Sequence, residues 1–555
     1  MLYMKYRILL IALCAAFVAF VTYFPVTDTD IWWHLAAGRE MMAHKRLLYA
    51  DPFAFTLDRP PWINLHWLFQ LVSYGVFKAG GCGALVAMKC ALTAAACALA
   101  CACVPSRRFA ALCAFAYALL IYEARYLVLV RPVIITLGCM AVFLLCFERY
   151  RVCRRWGRLW LLIPVQILWA NCQGLFALGP AIAVAYACGE ALDRLVAARR
   201  NDVPISFVNV WDKKQAQILA LLIAAGFANP YLWQGCAFPW RLFLRIMPLP
   251  GNSYSQFVSE NVPLLSLSGI DRRFLHSVTA VTLLLAVSFF LNRRRMTAAH
   301  VFLCGGFLLL AFMAQRNILL YFFVAAPVLA ANLSASDVWK WAAGLHPGLR
   351  RCTTAVLMTV AFWLLAVPVA RHTRIIAVYP KAGAISPFRV PAAAADWLEA
   401  HQMTGNVFNS IRYGGYLLWR FYPAKKVYID GRLTVRPPRF FDEYLALLDN
   451  PSHFEQTARR FNITNAVLPT AVFYQYMGIV KWLYDSPRWK LVFADGASVV
   501  FVRSDLFEDD GLDVRNGQDV RRMEAEIDRQ WRNDAYIRRE ARTYLAQMIR
   551  YLAPD

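Results

Sequence analysis

The chain has 555 residues, of which 59% are hydrophobic and 17% charged, and its formal net charge is +24. This composition is too apolar for a water-soluble protein of this length. The excess of hydrophobic residues lies in runs of about 15–22 residues, long enough to cross a bilayer as helices. We therefore predict a multi-pass α-helical membrane protein. Its positive charge is typical of basic cytoplasmic loops, and no basic surface with interleaved aromatic residues indicates a nucleic-acid partner.

Eleven to thirteen spans are predicted in a polytopic domain over 1–371, followed by a soluble α/β domain over 372–510 and an amphipathic helical tail over 511–555. The first span is expected to be a retained anchor, because no small-residue cleavage site follows it. The candidate spans are 8–24, 66–79, 83–104, 109–121, 131–147, 159–171, 174–192, 215–229, 273–291, 299–313, 317–333 and 354–370.

Basic loops give the orientation of these spans. Arginines and lysines collect at 149–158, 199–214 and 293–295, which predicts that these loops are cytoplasmic. With the N-terminus inside, the loop 25–65 and the chain after 371 lie on the outer side. Four crossings between 66 and 147 would place the loop 148–158 outside, so either 66–79 or 109–121 is expected to be interfacial or re-entrant.

The soluble region alternates short strands with helical stretches, which is typical of a small α/β domain. Strands are predicted at Val407, Lys426, Asn465, Leu491 and Val499, each the first residue of a short apolar run. The chain has 15 cysteines, most of them within apolar spans and none in a zinc-binding spacing, so we interpret them as buried hydrophobic residues.

The acidic run Asp28-Thr-Asp30-Ile-Trp-Trp-His34 directly follows the first span. Carboxylates at a membrane boundary are costly unless they face water, a metal or a substrate. In an extended segment Asp28 and Asp30 point to the same side. They can share a divalent metal such as Mg²⁺ or Mn²⁺, or one can act as a general base while the other tunes its pKa. Alternatively, either aspartate simply caps the helix predicted over 32–45.

Other polar residues of the same loop are candidates for substrate contacts. Asp51 is either a second acidic group of the site or a turn residue before Pro52. His34 and His66 can contact phosphate or can be structural residues of the membrane interface. The predicted helix would rest its apolar side chains on the membrane surface, namely Trp32, Trp33, Leu35 and Met41.

Three arginines lie near predicted span ends, where a guanidinium group can bind phosphate oxygens in a bidentate manner. They are Arg125, Arg131 and Arg316. Each can instead extend towards lipid headgroups. Arg316 is the strongest candidate, because Gln315 and Asn317 flank it in a polar break between two apolar spans.

An outer acidic loop, about a dozen spans and a soluble C-terminal domain together resemble the GT-C superfamily of integral-membrane glycosyltransferases. The stretch from Asp30 to Glu40 resembles its first-loop motif, with Gly38 and Arg39 at similar offsets. A bacterial branch is more similar still, in five segments. These begin at Asp28 (Asp-Thr-Asp-Ile-Trp-Trp-His-Leu-Ala-Ala-Gly), Asp51 (Asp-Pro-Phe-Ala-Phe-Thr), Trp67 (Trp-Leu), Tyr413 (Tyr-Gly-Gly-Tyr-Leu-Leu-Trp-Arg) and Val427 (Val-Tyr-Ile-Asp-Gly-Arg). From residue chemistry alone, Gly414 and Gly415 fit close helix packing, and Asp430-Gly431-Arg432 fits a salt-bridged turn.

This resemblance implies an enzyme that transfers a sugar, with inversion, from a polyprenyl-phosphate donor to a glycan, lipid or protein acceptor. It implies a bacterial inner membrane, with the C-terminal domain on the periplasmic side. Asp30 would be the base, Arg39 would be the motif's basic residue, and Arg316 or Arg131 would stabilise the departing phosphate. Thr29 separates two acidic residues that are adjacent in the commonest pattern, so a metal role for Asp28 and Asp30 stays open.

Two non-enzymatic interpretations compete with this one. A scaffold in envelope polysaccharide assembly could retain the fold without the chemistry. A transporter or flippase is less consistent with the sequence, because no internal repeat is evident and the acidic cluster lies at a span end rather than at mid-bilayer.

Overall fold

The computed structural model describes residues 2–104, 106–201, 210–378 and 385–554. The chain divides into two compact units. The first comprises Met1–Phe24 and Leu85–Ile376, and the second comprises Pro25–Ala84 and Ala377–Asp555. The acidic segment that follows the first helix therefore belongs to the same unit as the C-terminal region.

The first unit is helical throughout its regular structure, and Ile318–Ala335 is its most buried helix. This helix packs against Arg107–Ala124, Ala298–Met313 and Arg273–Leu291. Its apolar residues on all sides account for its central position. The remaining helices are Leu2–Val21, the part of Trp67–Cys101 from residue 85 on, Val133–Cys153, Leu162–Ala170, Leu178–Arg200, Lys213–Ala225, Leu232–Ile246, Ser253–Gln256, Val338–Ala343 and Pro347–Val378.

The structure confirms the multi-pass membrane class. Among the described residues, seven helices are long and apolar enough to cross a bilayer, and two shorter apolar helices cover Ile8–Val21 and Ala298–Met313. The predicted spans 66–79 and 83–104 lie in one run, Trp67–Cys101, which consists of two helices joined at Gly80 and Gly81, where the backbone is not helical. Gly81 has φ +62°, a backbone conformation that glycine adopts at little cost. Counted as one crossing, this run returns the basic loop after residue 153 to the side of the N-terminus, as the charge rule requires.

The second unit contains a four-stranded sheet with the order β1-β2-β4-β3. β1 and β2 are parallel, and the β2–β4 and β4–β3 pairs are antiparallel. The strands are β1 Asn406–Asn409, β2 Ile463–Pro469, β3 Trp489–Ala494 and β4 Ser498–Arg503. The helices are Ile31–His44, the part of Trp67–Cys101 up to residue 84, Ala392–Ala400, Ile411–Phe421, Pro438–Asp449, Phe454–Arg460, Met477–Asp485, Gly517–Gln530 and Ala535–Leu552.

Four of the five predicted strands are confirmed, and the one predicted at Lys426 is wrong. Val427 forms isolated bridges to Val407 on one side and to Ala54 on the other. A single residue paired on each side makes a bridge rather than a strand. The tail likewise forms two helices instead of one, because the chain turns at Trp531 and Asp534 caps the second helix through the backbone N–H of Ile537.

The helix Ile31–His44 packs into the second unit against Ile411–Phe421. Its large apolar side chains are at most 6% exposed, namely Trp32, Trp33, Leu35 and Met41. The prediction that they rest on the membrane surface is wrong, because the second unit encloses them. Gly38 allows this packing, since a Cβ atom there would collide with the backbone carbonyl of Gln70.

Candidate functional site

Asp28 and Asp30 occupy different environments at the start of the helix Ile31–His44. Asp30 is the N-cap residue by position, but its side chain makes no capping hydrogen bond. It is partly exposed, whereas Asp28 is 3% exposed. Asp28 Oδ1 accepts a hydrogen bond from the backbone N–H of Asp30 at 3.0 Å. The capping alternative therefore fails for Asp30, and Asp28 fixes the turn that presents it.

Glycines from the C-terminal region bring the chain close to this turn. A Cβ atom at Gly431 would collide with the carboxylate of Asp30, and one at Gly415 would press on the carbonyl of Thr29. Gly414 lies in the same way against the carbonyl of Ile429. The predicted packing role of Gly414 and Gly415 is confirmed. The carboxylate of Asp30 lies directly against Gly431.

Arg432, the next residue, is the centre of a buried ionic network. Its guanidinium group donates to Asp51 Oδ1 at 2.7 Å and, through two nitrogens, to both carboxylate oxygens of Asp430. The aromatic rings of Phe53 and Trp62 lie 4.9 Å and 4.8 Å from it. The predicted salt bridge within Asp430-Gly431-Arg432 is thus present, and it extends to Asp51 in the segment that follows the first helix.

The placement of Asp51 does not support a direct contact with substrate. Asp51 is 1% exposed, and its Oδ1 also accepts from the backbone N–H of Phe53 at 2.9 Å. Arg436 approaches its Oδ2 at 3.9 Å. Asp51 forms the turn that one interpretation predicted, and it also pairs with two buried arginines.

Asp430 and Arg432 each shift the pKa of the other towards the charged form. Burial by itself would raise the pKa of Asp430, but the ion pair with Arg432 outweighs it and holds that pKa below its ordinary value. Burial would likewise lower the pKa of Arg432, and the carboxylates of Asp430 and Asp51 raise it instead. Asp430 and Arg432 therefore stay ionised at neutral pH.

The other candidates of the first segment contact aromatic rings. Arg39 donates to the backbone carbonyl of Tyr422 at 2.9 Å and lies 4.5 Å from the centre of the Trp419 ring. These contacts tie two helices together and leave the predicted substrate role of Arg39 without support. His34 stacks on Trp33 at 3.6 Å and meets the edge of His66 at 5.5 Å, so the fold does bring the two histidines together.

Arg131 and Arg316 belong to the first unit, and the fold brings them to one carboxylate that the sequence reasoning missed. Glu260 pairs with Arg131 at 2.6 Å and is an electrostatic neighbour of Arg316. The backbone N–H of Gln315 donates to the carbonyl of Val262 at 3.0 Å, which joins the two segments. Glu260 lies between the predicted spans 215–229 and 273–291, and no motif in the sequence singled it out. Arg125 instead donates to the carbonyl of Tyr122 and to the hydroxyl of Tyr126.

The carboxylates were tested as a metal site by their donor set. Among the described residues, no group of three or more His, Cys, Asp or Glu side chains is arranged to hold a metal ion. Asp28 and Asp30 offer two carboxylates, and one oxygen already accepts a backbone hydrogen bond. Mg²⁺ takes six oxygen ligands in near-octahedral geometry. The residues do not fit a metal site by themselves, and we assign no reaction step to a metal.

Comparison with family models and with curated protein sequences gives no match. Solved structures do match. The archaeal oligosaccharyltransferase AglB from Archaeoglobus fulgidus, in complex with an inhibitory peptide and a dolichol-phosphate, aligns with a TM-score of 0.58 and 11% identity over 91% of this chain and 75% of that chain. The apo form of the Archaeoglobus fulgidus oligosaccharyltransferase gives 0.56 and 10% over the same shares. The structure of that enzyme with Zn and sulfate gives 0.54 and 12%, over 89% and 73%.

This chain therefore shares its fold with these oligosaccharyltransferase structures, in agreement with the fold that the resemblance in sequence implied. At these identities the likeness establishes the fold, and function has to be argued from the site.

Proposed function

We propose that this chain is a membrane glycosyltransferase that moves a sugar from a polyprenyl-phosphate-linked donor to an acceptor on the outer face of the membrane. The GT-C fold supports the class of reaction. One protein of this fold was determined with a dolichol-phosphate bound, which supports a lipid-phosphate donor. The basic loops support an outer position for the second unit, since the last membrane helix then leads outwards.

Asp30 is the proposed general base, and the observation that carries this assignment is the state of its carboxylate. The side chain stands at a helix start without capping it and is partly exposed, while Asp28 and Gly431 fix its position. A helix N-cap residue whose side chain does not cap its helix forgoes about 1 kcal/mol of stability. That cost fits a carboxylate held for chemistry rather than for folding.

In the proposed step one bond forms at the sugar C1 and one bond breaks. The acceptor hydroxyl gives its proton to a carboxylate oxygen of Asp30, and its oxygen forms a bond to C1 of the donor sugar. The bond between C1 and the phosphate oxygen breaks, and its electron pair leaves with the lipid phosphate, so that C1 is inverted. Arg316 is the proposed partner of the departing phosphate. In the described part of the chain it forms no hydrogen bond or ion pair of its own, whereas Arg131 already pairs with Glu260.

The test compares Asp30→Asn with Asp58→Asn in the complete protein. Asp58 is an exposed aspartate of the same outer segment and provides a matched control. Loss of a general base should reduce transfer about 10²- to 10⁴-fold, with normal membrane insertion and accumulation of the lipid-linked donor. The control should transfer sugar at the wild-type rate. Wild-type transfer by Asp30→Asn would exclude Asp30 as the base.

A further inference from the structure

The second unit contains a cavity of about 460 Å³ that the proposed reaction does not use. It lies between the helix Ala392–Ala400, the strand β3 and the helix Gly517–Gln530. Cavities that bind small ligands span about 300–1,000 Å³ and have mostly apolar walls with a few polar groups. The base of this one is apolar, with Val492, Phe493 and Met523 among its lining residues.

An aromatic pair forms one wall of the cavity. Trp397 stacks on His401 with ring centres 4.0 Å apart and 18° between the planes. His401 Nδ1 and the backbone carbonyl of Trp397 lie 2.8 Å apart, which fixes the pair. The indole N–H of Trp397 has no acceptor among the described residues, so this wall offers both an aromatic surface and a hydrogen-bond donor.

The rim carries charges that balance. Asp396 and Glu526 contribute two carboxylates, and Arg522 and Arg529 contribute two guanidinium groups. Arg529 donates to both oxygens of Glu526 through Nε and Nη2, at 2.9 Å and 2.7 Å. Asp396 accepts from Arg420 through Oδ1, at 2.8 Å. Because the two carboxylates and the two guanidinium groups balance in charge, the rim favours a ligand without net charge.

A peptide strand or a lipid chain fits this cavity less well. The strand β3 is at the edge of the sheet, but the backbone N–H of Leu512 already donates to the carbonyl of Leu491 at 2.6 Å. The edge is therefore occupied where a peptide strand would add to it. An acyl chain would leave the ionic rim without new partners. A sugar offers apolar C–H groups to an aromatic ring and hydroxyl groups to carboxylates and guanidinium groups.

We propose that this cavity binds a short segment of a neutral oligosaccharide, and that the acceptor of the transfer reaction is accordingly a glycan chain. The identity of the acceptor rests on the proposed function, whereas binding itself does not depend on catalysis. Trp397 supplies the stacking surface, and Arg529 and Asp396 supply hydrogen bonds to sugar hydroxyls.

The test measures binding of defined neutral hexasaccharides to the full-length protein in detergent by isothermal titration calorimetry. The probes are maltohexaose, cellohexaose, chitohexaose, xylohexaose and mannohexaose. At least one should bind, and Trp397→Ala should weaken it about tenfold, which corresponds to about 1.4 kcal/mol. Arg529→Ala is a second variant that should fold normally, since its side chain is 74% exposed. Arg521→Ala, an exposed arginine of the same helix outside the cavity lining, is the matched control and should bind as wild type.

The outcomes separate this proposal from the proposed function. Asp30→Asn should bind the hexasaccharide normally while failing to transfer sugar. If none of the five probes binds the wild-type protein, or if Trp397→Ala and Arg529→Ala both bind as tightly as wild type, the cavity is not a glycan site. Normal transfer by Asp30→Asn, with binding that still depends on Trp397, would overturn the role of Asp30 as the base while retaining the glycan site.

Discussion

Two stretches of the segment 25–65 carry aspartates, and the protein uses them in different ways. Asp51 is 1% exposed and neutralises Arg432, so its charge holds the second unit together. Asp30 is partly exposed and does not cap the helix that it precedes. The comparison teaches that an acidic residue in the right loop is not yet a functional group. The partner that the fold brings to it decides its role.

The largest expected effect comes from disrupting the buried ionic network of Arg432. Arg432→Met should destabilise the protein by about 3–5 kcal/mol, because Asp51 and Asp430 would remain buried as charges without their partner. This loss is measured by unfolding the detergent-solubilised full chain and using limited proteolysis to monitor the unfolded fraction. The matched control is Arg503→Met, which removes an exposed pair with Asp505 and should cost far less stability. Equal stability of the two variants would mean that the buried network does not hold the unit together.

A smaller effect is expected from displacing the Asp30 carboxylate. Gly431→Ala should displace the Asp30 carboxylate, because the new Cβ atom would collide with it. A shift of about 1 Å in a catalytic group can cost about 100-fold in rate. Transfer activity should fall by that order while expression and membrane insertion stay normal. Gly75→Ala is the control, since a Cβ atom there meets nothing within 4 Å. An unchanged transfer rate in Gly431→Ala would show that Gly431 does not position Asp30.

The smallest expected effect is a loss of stability at low pH, which arises from the buried ionic network that contains Asp51. The folded-state pKa of Asp430 lies below its unfolded value, so its pairing stabilises the fold above the unfolded pKa and is lost as the pH falls through the folded pKa. Stability of the second unit should therefore fall below about pH 4, which proteolysis at stepped pH measures. In Arg432→Met the acid-dependent part of the loss should shrink, because the depressed pKa depends on that arginine. An identical acid profile in wild type and variant would contradict the assignment.

Much of the fold was predictable from local patterns. Every candidate span lies on a helix, and the strands at Val407, Asn465, Leu491 and Val499 formed where short apolar runs indicated them. The strand at Lys426 was not predictable in this way, because Val427 makes its bridges to Val407 and to Ala54, two distant parts of the chain. The aromatic helix face at Trp32 and Trp33 was misread for a similar reason. An apolar face fits a membrane surface and a protein core equally well, and only the packing partner distinguishes them.

The candidate site divides in the same way between what the sequence contains and what folding supplies. Sequence offsets singled out Asp30, and the structure left its carboxylate out of the helix cap. They gave no indication that Arg432 would pair with Asp51, which lies 381 positions away along the chain, or that Glu260 would meet Arg131.

The sequence by itself determined the membrane class, the helices, most strands and the position of the acidic motif. These follow from hydrophobicity and periodicity, which act over a few residues. Only the tertiary structure decided which carboxylates are neutralised and which glycine lies against Asp30. Electrostatic pairing and close packing depend on distances between groups, and for residues far apart in the chain those distances exist only once it has folded.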